Sequence, residues 1–111
     1  MLFRSLPAGA AVLDAGCGLG DGLRALRSEY PAARLAGLEW SWPLTLACRL
    51  RCPWARVRRG DMWAQPWSGF GLVYLFQRPE SMPQAIEKAR RELSPGAWLV
   101  SLEFEIGRAH V

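Results

Sequence analysis

Residues 12–20 read Val-Leu-Asp-Ala-Gly-Cys-Gly-Leu-Gly, and the fold turns on how this stretch is read. An apolar run that stops abruptly at a glycine cluster has the pattern of a buried parallel strand feeding a tight turn. The strand is placed at residues 11–14. Beyond the glycines, Leu23, Leu26 and Tyr30 recur at helical spacing while Arg24, Arg27 and Glu29 face elsewhere, and Pro31 closes the segment. A glycine-rich turn between a strand and a helix lies at the mouth of an α/β sheet, where backbone amides and a helix N-terminus face ligands.

The same alternation continues outward. Residues 34–39 form a second short apolar strand, and Ser41 before Trp42 and Pro43 supplies an N-cap with proline in the first turn of a helix that runs to Cys52. Residues 55–59 read as a third strand, ended by Gly60 and Asp61. A Trp-rich, Pro-containing loop follows, then a fourth strand at 72–76. Ser81 with Gln84 has the capping-box pattern, and Ile86, Ala89, Arg90 and Leu93 continue at helical spacing until Ser94-Pro95-Gly96. Residues 97–104 make the fifth strand. Strands alternating with helices predict an α/β, doubly wound parallel sheet.

Composition sets the outer bounds. The chain has 111 residues, half of them apolar, and a net charge of +4; this is the balance of a globular domain, not a disordered segment. No run of about 20 apolar residues predicts a membrane span, so the default location is the cytoplasm. Cys17, Cys48 and Cys52 are expected as reduced, packed thiols, with Cys48 and Cys52 on one helix face. With His110 the sole histidine and no second cysteine pair, a four-ligand zinc site lacks donors, and no metal is expected. Arg49, Arg51, Arg56, Arg58 and Arg59 are the densest basic stretch; a solvated surface and an acidic or nucleic acid partner are both open.

Three loops carry the chemistry. The first, Asp14-Ala15-Gly16-Cys17-Gly18-Leu19-Gly20, has the spacing Asp-x-Gly-x-Gly-x-Gly, unlike the Gly-x-Gly-x-x-Gly of dinucleotide folds. The second is Glu39, about 20 residues beyond the glycines, where a carboxylate accepts hydrogen bonds from ribose hydroxyls; Trp40 beside it can pack on a flat purine. The third, Gly60-Asp61-Met62, places a side-chain acceptor and a backbone amide where an adenine edge can be read. Three such loops around one nucleoside suit a cofactor without phosphates.

These segments, VLDAGCGLG, GLEW and RGDMW, resemble the cofactor motifs of class I S-adenosylmethionine-dependent methyltransferases across nearly the whole chain. The resemblance implies a Rossmann-like sheet with its parallel strands in the order 3-2-1-4-5, and S-adenosylmethionine as cofactor. It assigns Gly16, Gly18 and Gly20 to the methionine end, with Asp14 supporting that loop and Cys17 a cofactor-binding residue within it, Glu39 to ribose, and Trp40, Asp61 and Met62 to adenine. Residues 37–63 and 73–82 are also similar to small protein-lysine methyltransferases, so the partner expected is a methyl acceptor, with a protein side chain favoured and nucleic acid still open. Phe76, Gln77, Arg78 and Pro79 follow strand four, where the superfamily places substrate-facing residues, and they lack the Asn/Asp-Pro-Pro-aromatic motif of some nitrogen methyltransferases. A nicotinamide-dependent oxidoreductase and a non-catalytic cofactor-binding fragment are the competing readings.

The family fold continues past strand five with a helix and an antiparallel hairpin. Residues 1–105 are therefore expected to be a partial methyltransferase domain without its closing hairpin, the fifth strand being an open apolar edge. Residues 106–111 (Ile-Gly-Arg-Ala-His-Val) read as a non-native tail.

Overall fold

The computed structural model describes residues 6–75, 79–101 and 107–108. Five strands are parallel: β1 (Ala11–Ala15), β2 (Arg34–Glu39), β3 (Arg56–Arg59), β4 (Leu72–Leu75) and β5 (Trp98–Ser101). They lie in the order β3-β2-β1-β4-β5, as the family resemblance implies. A two-residue antiparallel strand, β6 (Gly107–Arg108), pairs with Trp98 and Leu99 and so covers part of the edge expected to be open. The expected extensions of strand four to Phe76 and of strand five to Phe104 fall outside the described residues.

Side-chain alternation divides the core in two. On one face Val12, Leu35, Val57, Leu72 and Val100 pack with Leu23 and Leu26 of α1 (Asp21–Glu29) and Cys48 of α2 (Trp42–Arg51). On the other, Leu13, Val73, Leu75 and Leu99 pack with Met82, Ala85 and Ala89 of α3 (Met82–Glu92). α2 begins as its sequence requires: Ser41 is the N-cap, and its hydroxyl accepts the Leu44 amide at 3.4 Å. α3 does not. A short 3-10 helix at Pro79–Ser81 leads into it, Ser81 already has helical dihedrals, and no side-chain cap forms, so the expected capping box is absent.

Residues 60–71 join β3 to β4 without a helix, an unusual crossover between parallel strands. Trp67 takes the helix's place in the core and is fully buried. Its amide donates to Glu92 Oε1 at 2.7 Å. The Glu92 Oε2 atom accepts Lys88 Nζ at 2.8 Å, and that ammonium lies 5.2 Å from the centre of the Trp67 ring. Beside this loop, a groove of about 630 Å³ opens over β1, β2 and β3, lined among others by Leu13, Leu38, Arg56, Arg58 and Phe70. None of its lining residues belongs to the glycine loop. The outer edge of β3 is partly closed where Arg49 Nε donates to the Val57 carbonyl at 2.9 Å.

Candidate functional site

Because β1 to β4 are parallel, the loops that follow β1, β2 and β3 converge on one edge of the sheet. The glycine loop is folded back on β2. The amides of Gly16 and Cys17 both donate to the Leu38 carbonyl at 2.8 Å, and the Gly20 amide donates to the Cys17 carbonyl. Gly18 donates to Glu39 Oε1 at 2.8 Å. These four amides, expected to face a ligand, are thus engaged within the protein. What the loop offers at Gly16 and Gly18 is space: Gly18 has positive φ with no atom within 4 Å of where a side chain would start, and Gly16 has only Met62 Sδ, at 4.0 Å.

Glu39 is the hub of the edge. Its Oε2 accepts the Ser41 amide at 2.8 Å, so the carboxylate spans the glycine loop and the N-terminus of α2. Its carbonyl accepts the Gly60 amide and the Thr45 hydroxyl, tying the third loop and α2 to the same residue. A carboxylate has about four lone-pair sites. Two are used, leaving capacity for a pair of hydroxyl donors. The half-buried, doubly held carboxylate fits the ribose diol of a nucleoside.

Trp40 is 64% exposed, and Arg59 sits over it with the guanidinium carbon 4.6 Å from the ring centre while its Nε donates to the Trp40 carbonyl at 3.0 Å. Asp61 is exposed, and its Oδ1 accepts the Trp63 amide at 2.9 Å, which fixes the turn. Met62 packs partly against the core. Asp14, Glu39, Trp40, Asp61 and Met62 all sit at or just beyond the C-terminal ends of their strands.

Asp14 is buried beneath the first turn of α1. A methyl group on Gly22 would come 2.6 Å from its Oδ2 and 3.0 Å from the Tyr74 ring, so this glycine, which the sequence pattern did not single out, lets the helix close over the carboxylate. Burial, reinforced by the Glu39 charge, pushes the Asp14 carboxyl up to about 7. Cys17 turns its thiol away from the edge: Cys48 Sγ lies 3.7 Å from Cys17 Sγ, and Cys52 Sγ donates to the Gly20 carbonyl at 3.7 Å. All three cysteines are buried and free. Burial pushes the Cys17 and Cys48 thiols up, so they stay protonated packing groups. Phe76, Gln77 and Arg78 lie outside the described residues; Pro79 opens the 3-10 helix after β4. Among the described residues no cluster of His, Cys, Asp and Glu could hold a metal, and no helix is long and apolar enough to cross a membrane.

Comparison with known proteins shows the family and the fold. Residues 14–111 match the model of the ANTKMT methyltransferase domain. The chain is 31% identical to a trans-aconitate 2-methyltransferase of Variovorax paradoxus over 85% of its own length and 38% of the relative's. It thus spans about two fifths of the curated relatives it matches. Among solved structures it is similar to an RNA methyltransferase from Salinibacter ruber in complex with S-adenosyl-L-homocysteine, with a TM-score of 0.73 and 26% identity, over 83% of this chain and 63% of that one. It is also similar to CalS10, an S-adenosylmethionine-bound amino pentose methyltransferase from Micromonospora echinaspora, with a TM-score of 0.65 and 28% identity, over 84% and 42% of the two chains.

Proposed function

Because the chain belongs to the ANTKMT methyltransferase family of class I S-adenosylmethionine-dependent methyltransferases, we propose that it forms the cofactor-binding part of an enzyme that methylates a nucleophile, with a protein lysine as the acceptor. The observation that carries the cofactor assignment is the Glu39 carboxylate, held between the Gly18 and Ser41 amides with lone pairs to spare.

In this reading Glu39 takes the ribose hydroxyls. Trp40 flanks the adenine, whose amino group is accepted by the second Asp61 oxygen while Met62 offers its amide. The bare Cα positions of Gly16 and Gly18 admit the methionine end, and Asp14 supports the loop from below. When bound, S-adenosylmethionine supplies an electrophilic methyl group on a sulfonium. The protein's task is then mainly alignment of acceptor, methyl carbon and sulfur, which positioning alone favours strongly. Phe76, Gln77, Arg78 and Pro79, after β4, are placed in sequence to orient the acceptor.

Support for lysine comes from the likeness of residues 37–63 and 73–82 to small protein-lysine methyltransferases. Two experiments test the reading. Calorimetric titration should show binding of S-adenosylhomocysteine and none of NADH; the reverse result returns the site to nicotinamide chemistry. Incubation with radiolabelled S-adenosylmethionine and cell extract should put label into protein, recovered as methyl-lysine on hydrolysis. Label confined to RNA or to small metabolites removes the protein acceptor, and cofactor binding without transfer to any fraction favours a binding module.

A further inference from the structure

Five large apolar side chains are exposed among the described residues: Leu19, Trp40, Trp42, Leu46 and Leu50. Four of them, all but Leu19, lie on or beside α2. Trp42, Leu46 and Leu50 fall at i, i+4 and i+8 on α2, the helix face opposite buried Thr45 and Cys48. Leu50 is 84% exposed. Arg59 bridges the two indoles, 4.6 Å from the Trp40 ring centre and 5.9 Å from that of Trp42, and Arg49 lies 5.9 Å from Trp42. At the other end Arg51 binds the Leu19 carbonyl and Asp21. The result is a strip of indole and leucine along α2 flanked by the Arg49 and Arg59 guanidinium groups, and α2 itself carries no carboxylate.

We infer that this strip is a docking surface for an anionic lipid bilayer, on which α2 lies in the plane of the interface. Protruding leucines and indoles on a convex helix face suit acyl chains and the headgroup boundary, which deform around them, better than a rigid partner groove. Arg49 and Arg59 donate Nε to the backbone carbonyls of Val57 and Trp40, which holds each guanidinium in place and leaves its terminal nitrogens for lipid phosphates. A second copy of the chain fits less well, because a two-fold contact would set Arg49 and Arg59 against their own symmetry mates. Nucleic acid fits less well too, because Leu46 and Leu50 offer nothing to a base.

Trp40 is assigned to the adenine, so the inference rests on Trp42, Leu46, Leu50, Arg49 and Arg59 and does not depend on the cofactor reading. The test is sedimentation of the chain with vesicles of pure phosphatidylcholine and with vesicles containing phosphatidylglycerol, at low and high salt. Binding is expected to the anionic vesicles alone and to weaken with salt. Leu46→Glu and Leu50→Glu, at exposed positions, should each lower partitioning about tenfold while leaving the far-ultraviolet dichroism and S-adenosylhomocysteine binding unchanged. Three results would overturn the inference: no binding to anionic vesicles, equal binding by both variants, or a concentration-dependent dimer or RNA complex that Leu50→Glu abolishes in the absence of lipid binding.

Discussion

The Gly18 amide and the Glu39 carboxylate, 21 residues apart in the chain, meet at 2.8 Å and lock the glycine loop onto the end of β2. Since Glu39 also holds the Ser41 amide, neutralising it disturbs loop and helix together. Glu39→Gln keeps one oxygen acceptor but turns an amide donor toward one of the two N–H groups. S-adenosylhomocysteine affinity should fall by about 10- to 100-fold by calorimetric titration, the loss of one or two charge-assisted hydrogen bonds. Unchanged affinity would remove Glu39 from the site.

Gly20 enters α1 with φ 95°, and a methyl group there would lie 2.6 Å from Cys52 Sγ. Gly20→Ala should therefore destabilise the fold by about 3 kcal/mol, part from the left-handed backbone and part from overpacking. Cys52→Ala removes the atom in the way, so the double variant should lose about 1 kcal/mol less than the sum of the two single losses by urea unfolding. Simple additivity would show that the thiol yields without cost.

Asp14 yields a pH prediction whose sign is set by burial. Its folded carboxyl is raised from 3.8 to about 7, so between those values the native state holds the proton more tightly than the unfolded chain. Stability conferred relative to the unfolded state is thus greatest in acid and is lost as the pH rises toward 7. Asp14→Asn should flatten this slope, with its stability relative to the parent improving by up to about 4 kcal/mol between pH 4 and pH 8 in chemical denaturation. A parallel pair of pH profiles would contradict it.

Lys88 and Glu92 should respond unequally. The Lys88 side chain is 4% exposed and that of Glu92 21%, so removing the acid strands a cation with no water, whereas removing the base leaves a carboxylate that still reaches solvent and the Trp67 amide. Glu92→Ala should cost about 3 kcal/mol or more and Lys88→Met distinctly less, measured by thermal unfolding. The Glu92 carboxyl is itself held below its usual range: burial pushes it up, and the Lys88 hydrogen bond, the Trp67 amide and nearby positive charge outweigh that.

Much of this was legible from the residues alone because the signals are local. Apolar runs closed by Asp14-Ala15-Gly16 and by Gly60-Asp61 mark strand ends, and Ser41-Trp42-Pro43 marks a helix start, each within a few positions. Alternation implied a parallel sheet, and the resemblance its strand order. What escaped depends on pairs formed by distant elements. Lys88 and Trp67 are polar-tipped residues whose burial is set by one another and by Glu92. Gly22 matters only because Asp14 lies under it. The Ser81-Gln84 pattern is genuine as a local motif, but the 3-10 turn at Pro79–Ser81 has already wound the chain, leaving no extended residue to act as cap. The glycine amides point to Leu38 and Glu39 because β2 ends beside them, a neighbour no short motif reveals.

The seam between α1, α2 and the sheet is filled by the sulfurs of Cys17, Cys48 and Cys52. Alkylating reagents can reach them only when that seam parts. The rate of labelling under native conditions therefore measures how often the half of the molecule behind the glycine loop opens, and a bound nucleoside gripping Gly18 through Glu39 would slow that rate without touching a single sulfur.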